Sequence, residues 1–88
     1  MAFRWNDWTE GHISEHGVDP WEAGEVVREA RSPYPLASAE GKFLVWGSTA
    51  EGRFLQVVFV VDEEDSAFVI HARPLTDKEK KRFRRRLR

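Results

Sequence analysis

The sequence contains no cysteine, which excludes a disulfide framework and a zinc site built on thiolates. It also lacks any run approaching the ~20 apolar residues of a transmembrane helix, and its first residues have no apolar segment of the secretory-signal type. Neither an internal repeat nor a low-complexity linker is present. These absences predict a cytoplasmic protein that needs neither a membrane nor a covalent cross-link to fold.

What the chain has instead is a high aromatic content, with four Trp, six Phe and one Tyr among 88 residues. Aromatic side chains bury large apolar areas, so a chain of this length has the material for one hydrophobic core. It has no room for a second core. We therefore expect residues 1–88 to form a single domain with one functional site.

The formal net charge of −1 hides an uneven distribution of charge along the chain. Residues 1–76 carry six basic and thirteen acidic side chains, a balance of −7, whereas residues 77–88 carry eight basic and two acidic ones, a balance of +6. A cationic segment on an otherwise acidic domain indicates a local anionic partner. The alternative is a basic helix that only keeps the surface hydrated.

The first part of the chain predicts two short helices. One spans about residues 6–16 and is closed by Gly17, and residues 3–5 before it alternate like a short edge strand. The second has Asp19 as its N-cap and Pro20 at its first helical position. Its apolar residues fall at helical spacing and form the expected buried stripe: Ala23, Val26, Val27 and Ala30.

Three strands are predicted after an irregular, proline-containing connection at residues 31–41, namely 42–46, 53–61 and 66–72. The loops between them are short and polar, which favours an antiparallel meander. The middle strand is apolar on both faces, as expected of a central strand. We expect an α+β fold with two N-terminal helices, a three-stranded antiparallel sheet and a C-terminal basic helix.

The third strand leads into a corner that is expected to bind an anion. Pro74 favours an extended conformation for Arg73, and Thr76 with Glu79 matches a capping box at the start of the last helix. An arginine would therefore face the first turn of a cationic helix. In an antiparallel pair the start of the second strand meets the end of the third, so Arg53 is expected at the same end of the sheet. The alternative is a purely structural Arg73–Glu79 ion pair.

The predicted first helix contains His12-Ile13-Ser14-Glu15-His16, which matches the H-x-x-E-H pattern of inverted zinc peptidases. Two histidines four residues apart can bind one metal, but such an enzyme needs a third ligand and a substrate cleft, for which this chain leaves little room. We expect neither a metal nor another cofactor. His12 is expected to pack between Trp5 and Ile13, and His16 to be accessible to a ligand.

Metal-free chemistry remains available to the other polar residues. Cleavage of RNA requires a base for the 2′-hydroxyl proton, cations for the charge on the phosphate and an acid for the departing 5′-oxygen. The chain offers a carboxylate, imidazoles and cationic groups for these roles: Glu79, His16, His71, Arg53, Arg73 and Lys80. DNA lacks the 2′-hydroxyl, so this reaction is specific for RNA. Simple phosphate binding would use the same groups.

The order and spacing of several motifs resemble the BrnT-type toxins of bacterial toxin–antitoxin pairs. The resemblance spans most of the chain and is carried by Trp5, by His16-Gly17-Val18, by Gly52-Arg53 ahead of a strand, and by Ala72-Arg73-Pro74 followed by Thr76, Glu79, a basic residue and Phe83. It implies a RelE-like fold and a small metal-independent endoribonuclease. It also implies inhibition by a cognate antitoxin, a small DNA-binding protein.

The resemblance implies a catalytic site at Arg73, Glu79 and Lys80, with Arg53 and His16 nearby. Four other basic side chains of the last helix are expected to bind RNA: Lys81, Arg82, Arg84 and Arg85.

This chain departs from the family pattern at several positions. Thr9 and Glu15 stand where lysines are frequent, Phe83 stands where tyrosine is frequent, and His71 stands where serine or threonine is frequent. Phe83 lacks the hydroxyl of a possible acid, and His71 offers a replacement. The alternative function is a non-catalytic RNA- or protein-binding module, which includes an inactive toxin homologue.

Overall fold

The computed structural model describes residues 3–4 and 16–86. Within these ranges the chain forms strands and helices in the order β1 (Phe3–Arg4), α1 (Pro20–Arg28), β2 (Leu36–Ala37), β3 (Lys42–Ser48), β4 (Phe54–Val61), β5 (Ala67–Pro74) and α2 (Asp77–Arg86). A short 3₁₀ turn, Ala39–Gly41, joins β2 to β3. The helix predicted at residues 6–16 lies outside the described residues, apart from its last position.

The described strands form one sheet in the order β1-β5-β4-β3-β2. β2 to β5 pair antiparallel, and β1 adds in parallel to β5. The α+β class and the meander of β3, β4 and β5 are confirmed. The predicted sheet of three strands is too small, because β1 and β2 add one strand at each edge. β2 lies inside the connection predicted to be irregular. The sequence does not predict it, because a two-residue strand is too short to show an alternating pattern.

α1 begins where its capping residues predict. The Glu22 carboxylate accepts a hydrogen bond from the Asp19 amide at 3.1 Å, and Pro20 occupies the first turn. The predicted apolar stripe is buried at Ala23, Val26 and Val27, while Ala30 packs against the core from a partly buried position. The helix is therefore held by an apolar face as well as by its cap.

α1 and α2 pack on opposite faces of the sheet. On one face, Gly47 of β3 lies so close to α1 that an added Cβ would stand 3.0 Å from Val26 Cγ1. On the other face, Phe83 of α2 is 5% exposed and its ring lies 5.9 Å from that of Phe54 and 6.0 Å from that of Tyr34. Neighbouring residues of the central strands β3 and β4 thus point toward different helices.

Candidate functional site

The predicted corner holds Arg73 in a network of hydrogen bonds. Its Nη1 and Nη2 atoms donate to the two oxygens of Glu79 at 2.8 Å each, which is a bidentate ion pair. Nη1 also donates to the Pro74 carbonyl at 3.1 Å, and Nη2 donates to Gln56 Oε1 at 3.2 Å. Arg73 lies directly opposite Gln56 in the β4–β5 register. Strand, corner and helix together fix the orientation of the guanidinium.

Glu79 is held by the N-terminus of α2 as well as by Arg73. The Thr76 amide donates to Glu79 Oε1 at 2.9 Å, and the Glu79 amide donates to Thr76 Oγ1 at 3.2 Å, so the predicted capping box is confirmed. Hydrogen bonds from Arg73 and from the Thr76 amide lower the pKa of Glu79 to about 2. The same pair raises the pKa of Arg73. Both side chains are charged at neutral pH.

The lowered pKa of Glu79 predicts a loss of stability in acid. Because its folded-state value is about 2 against an ordinary 4.5, its contribution is complete above about pH 4.5 and disappears as the pH falls toward 2. Urea unfolding at pH 6 and pH 2.5 should show that Glu79→Gln loses less stability on acidification than the wild type, by on the order of 2 kcal/mol. Identical losses in the two proteins would show that this ion pair does not govern the acid response.

Two imidazoles lie on the same face of the sheet as Arg73. His71 precedes Arg73 by two residues on β5, and the β4–β5 register places it opposite Val58, two positions from Gln56. The His16 and His71 rings are 5.5 Å apart, with an interplanar angle of 69°. His16, at the start of the second described range, is therefore brought to the Arg73 side of the sheet.

Arg53 is at the predicted end of the sheet but on the opposite face. Its Nη1 donates to both oxygens of Glu22 at 2.8 and 2.9 Å, and the Glu22 side chain is only 3% exposed. Thr49 and Arg53 continue the β3–β4 ladder, because the Thr49 amide donates to the Arg53 carbonyl at 2.9 Å. Strand alternation then directs Arg53 toward α1, whereas Arg73 contacts α2. The expected clustering of the two guanidinium groups is wrong.

Comparison with known proteins bears on the fold of this chain. A crystal structure of the ribonuclease toxin BrnT from Brucella abortus superimposes with a TM-score of 0.71, covering 88% of this chain and 99% of that chain at 18% sequence identity. The chain has the BrnT fold. This confirms the resemblance inferred from the sequence motifs at the level of the fold. No family model matches the sequence, and no curated protein matches it.

In this BrnT fold the basic side chains of α2 divide into two sets. Lys80 lies 3.8 Å from the Asp77 carboxylate, and the Arg84 guanidinium lies over the Phe54 ring at 5.4 Å from its centre. Four further basic side chains are exposed on the side of the helix away from Phe83 and form what we call the cationic stripe: Lys78, Lys81, Arg82 and Arg85. Among the described residues, none of these four forms an ion pair.

Gln56 is a residue of the site that the sequence reasoning missed. Its Oε1 accepts one hydrogen bond from Arg73 and a second from Trp46 Nε1 at 3.0 Å. Trp46 in turn stacks on Tyr34, with ring centres 6.4 Å apart. The sequence does contain a sign of its role, because Gln56 is the one polar residue in the apolar stretch of β4.

The metal-binding pattern at residues 12–16 lies outside the described residues, except for His16. Within residues 3–4 and 16–86, no three His, Asp or Glu side chains come close enough together to hold a metal ion. In the same ranges, neither helix is long and apolar enough to cross a membrane.

Proposed function

We propose that this protein is a metal-independent ribonuclease toxin of the cytoplasm, inhibited by a cognate DNA-binding antitoxin. The observation that carries the proposal is the bidentate Arg73–Glu79 pair at the start of a cationic helix. A preorganised guanidinium is suited to bind a phosphate and to stabilise the charge that develops on it. The fold shared with a ribonuclease toxin supports RNA as the substrate.

The contacts of Arg73 indicate how a phosphate would bind. Each terminal nitrogen already donates to one Glu79 oxygen and to one neutral acceptor, the Pro74 carbonyl or Gln56 Oε1. An arriving phosphate must therefore displace an acceptor, and the neutral ones are held less strongly than the carboxylate. In this proposal Glu79 stays in place and positions Arg73, while the phosphate replaces a neutral acceptor.

The proton transfers are assigned to the imidazoles in this proposal. A carboxylate with a pKa of about 2 is a weak base at neutral pH, so Glu79 is poorly suited to accept the 2′-hydroxyl proton. His16 and His71 lie together on the Arg73 face, and histidine is the usual acid–base residue near neutral pH. One imidazole accepts the 2′-hydroxyl proton as the 2′-oxygen attacks phosphorus. The other protonates the 5′-oxygen as its bond to phosphorus breaks.

The cationic groups of α2 complete the proposed site. Lys80 is half-buried beside Glu79 and adds positive charge near the phosphate held by Arg73. The cationic stripe faces solvent and would contact the backbone of the RNA on either side of the scissile bond. Its side chains contribute to affinity without taking part in the reaction.

The second candidate is an RNA-binding protein without catalytic activity. Two observations favour it: Phe83, where the related toxins often have tyrosine, is buried and carries no hydroxyl, and Glu79 is already neutralised by Arg73. The cationic stripe would then bind RNA through its phosphates alone. Such binding weakens as salt rises, and the RNA remains intact.

Induced expression tests the proposed function in cells. Wild-type protein is expected to arrest growth, and the double change Arg73→Ala with Glu79→Ala is expected to restore it, because both members of the corner are lost. The double change leaves no unpaired charge at the corner, so the variant should still fold. The control is the double change Lys42→Ala with Glu40→Ala, which removes an exposed ion pair at the start of β3 and should leave growth arrest unchanged.

Incubation of purified protein with RNA separates the two candidates. Cleavage in the presence of a metal chelator, with a 5′-hydroxyl on the downstream product, is expected of the ribonuclease. Intact RNA that is bound in a salt-dependent manner would favour the binding module. Normal growth on strong expression, together with intact RNA, would refute the toxin.

A further inference from the structure

A groove of about 460 Å³ opens at the end of β3, next to the candidate catalytic corner. It lies between the end of α1, the last residues of β3 and the turn that follows β3. Three aromatic rings line its inner side. The side chains that set its chemistry are the aromatic rings of Trp46, Phe54 and Phe83, the cation Arg31, and the carboxylates of Glu25 and Glu29. Its volume is within the range of about 300–1,000 Å³ that is typical of small-molecule sites.

The groove shares a wall with the Arg73 corner. Trp46 lines the groove and donates from Nε1 to Gln56 Oε1 at 3.0 Å, and the same oxygen accepts from Arg73 Nη2 at 3.2 Å. Two hydrogen bonds therefore connect the aromatic wall to the guanidinium. A ligand that spans both places needs an anionic group and, within a few bond lengths, a flat aromatic group.

The outer edge of β3 supplies polar groups to the groove. β2 pairs with β3 only at Phe43 and Leu44, and among the described residues no strand covers the edge beyond Leu44. Because the Thr49 amide donates toward β4, the alternation of an antiparallel ladder turns the peptide groups of Ser48 outward. An outward N–H and C=O on one residue match the donor and acceptor pattern along the edge of a base.

The charges around the groove are mixed, because the carboxylates of Glu25 and Glu29 line it beside Arg31, so an uncharged base suits its interior better than a phosphate does. Arg31 lines the groove and is exposed, and the Arg84 guanidinium lies over the Phe54 ring at 5.4 Å. Cations beside aromatic rings are a common arrangement in proteins that bind single-stranded nucleic acid, where bases stack and phosphates pair with the cations.

We propose that this groove is a nucleobase subsite, which binds a base of single-stranded RNA next to the phosphate held by Arg73. The inference rests on the proposed function for the identity of the polymer, and it extends that function by giving the protein a means to prefer one base beside the cleaved bond. Aromatic stacking supplies affinity, and the peptide edge of Ser48 supplies discrimination.

The test uses ribonucleoside 3′-monophosphates with each of the four bases, the corresponding free nucleosides, and inorganic phosphate. Binding is followed in the full chain by the NMR signal of the Trp46 indole N–H, identified with Trp46→Phe. At least one nucleotide is expected to shift this signal and to bind more tightly than its nucleoside or phosphate. An unchanged Trp46 signal with all four nucleotides would overturn the proposal.

A groove-filling variant and a matched control extend the test to RNA. Ala50 is exposed and lines the groove, so Ala50→Trp fills it from the surface, whereas Ala39→Trp makes the same change in the exposed 3₁₀ turn at the other end of β3. Ala50→Trp is expected to bind the preferred nucleotide about ten-fold more weakly and to lose base preference in RNA cleavage, with phosphate binding unchanged. Ala39→Trp should behave like the wild type.

The outcomes for the subsite and for the ribonuclease are distinguishable. Nucleotide binding that is sensitive to Ala50→Trp, together with RNA that is never cleaved, would retain the subsite and refute the ribonuclease. Cleavage with the same base preference in the wild type, Ala50→Trp and Ala39→Trp would retain the ribonuclease and refute the subsite.

Discussion

Arg73→Lys is expected to lower the rate of RNA cleavage by about 100-fold or more, because a single ammonium cannot replace a guanidinium whose two terminal nitrogens both donate hydrogen bonds. Lysine keeps the positive charge but loses the paired hydrogen bonds to Glu79 and those to Gln56 and the Pro74 carbonyl. The charge is retained, so affinity for RNA should fall less than turnover. Single-turnover and steady-state kinetics on a short RNA would measure the two separately.

Two further variants make this result specific. Arg53→Lys is the same chemical change on the opposite face of the sheet, where the arginine pairs with Glu22, and turnover per folded molecule should be little altered. Glu79→Gln should lower turnover less than Arg73→Lys if Glu79 only positions the guanidinium. An equal or larger loss in Glu79→Gln would instead make the carboxylate the base, and full activity in Arg73→Lys would eliminate the proposed phosphate site.

Arg53→Met is expected to destabilise the protein by about 2–3 kcal/mol, because it leaves the buried Glu22 carboxylate without its cationic partner. The side chain of Arg53 is 39% exposed, so water offsets part of the loss. For a domain of this size the change corresponds to a decrease in melting temperature of roughly 10–20 °C. Thermal and urea unfolding would measure it.

The double variant Glu22→Gln with Arg53→Met tests the cause of that destabilisation. Glutamine keeps an acceptor for the Asp19 amide at the start of α1 but carries no charge that needs a partner. The double variant should therefore recover part of the stability lost in Arg53→Met. A double variant as unstable as the sum of the two single changes would mean that the ion pair itself is not the source of the effect.

The features that could be predicted from the sequence are those determined by neighbouring residues. Asp19-Pro20 and the Thr76–Glu79 box identify helix starts because a cap is completed within four residues. The bidentate Arg73–Glu79 pair follows from the same box, since Arg73 is the last residue but one of the strand that leads into it.

Features that depend on distant contacts could not be predicted in the same way. Antiparallel pairing predicts the end of the sheet at which Arg53 lies, because it fixes which strand ends meet, but the face on which Arg53 lies depends on which helix covers which side. The sequence pattern of a central strand that is apolar on both sides does not contain that information. The groove beside Trp46 also has no local signature, because it exists only where β2 stops short and α1 ends.

The two arginine–glutamate pairs lie on opposite faces of the sheet, so substitutions at one pair are separated from substitutions at the other. Arg53–Glu22 ties α1 to one face, and Arg73–Glu79 ties α2 to the other, and the two pairs share no acceptor. Substitutions at the first should therefore add to substitutions at the second without interaction energy. Stabilising substitutions on the α1 face would therefore offset destabilising ones on the α2 face. The α2 face could then change in activity and specificity while the protein stays folded.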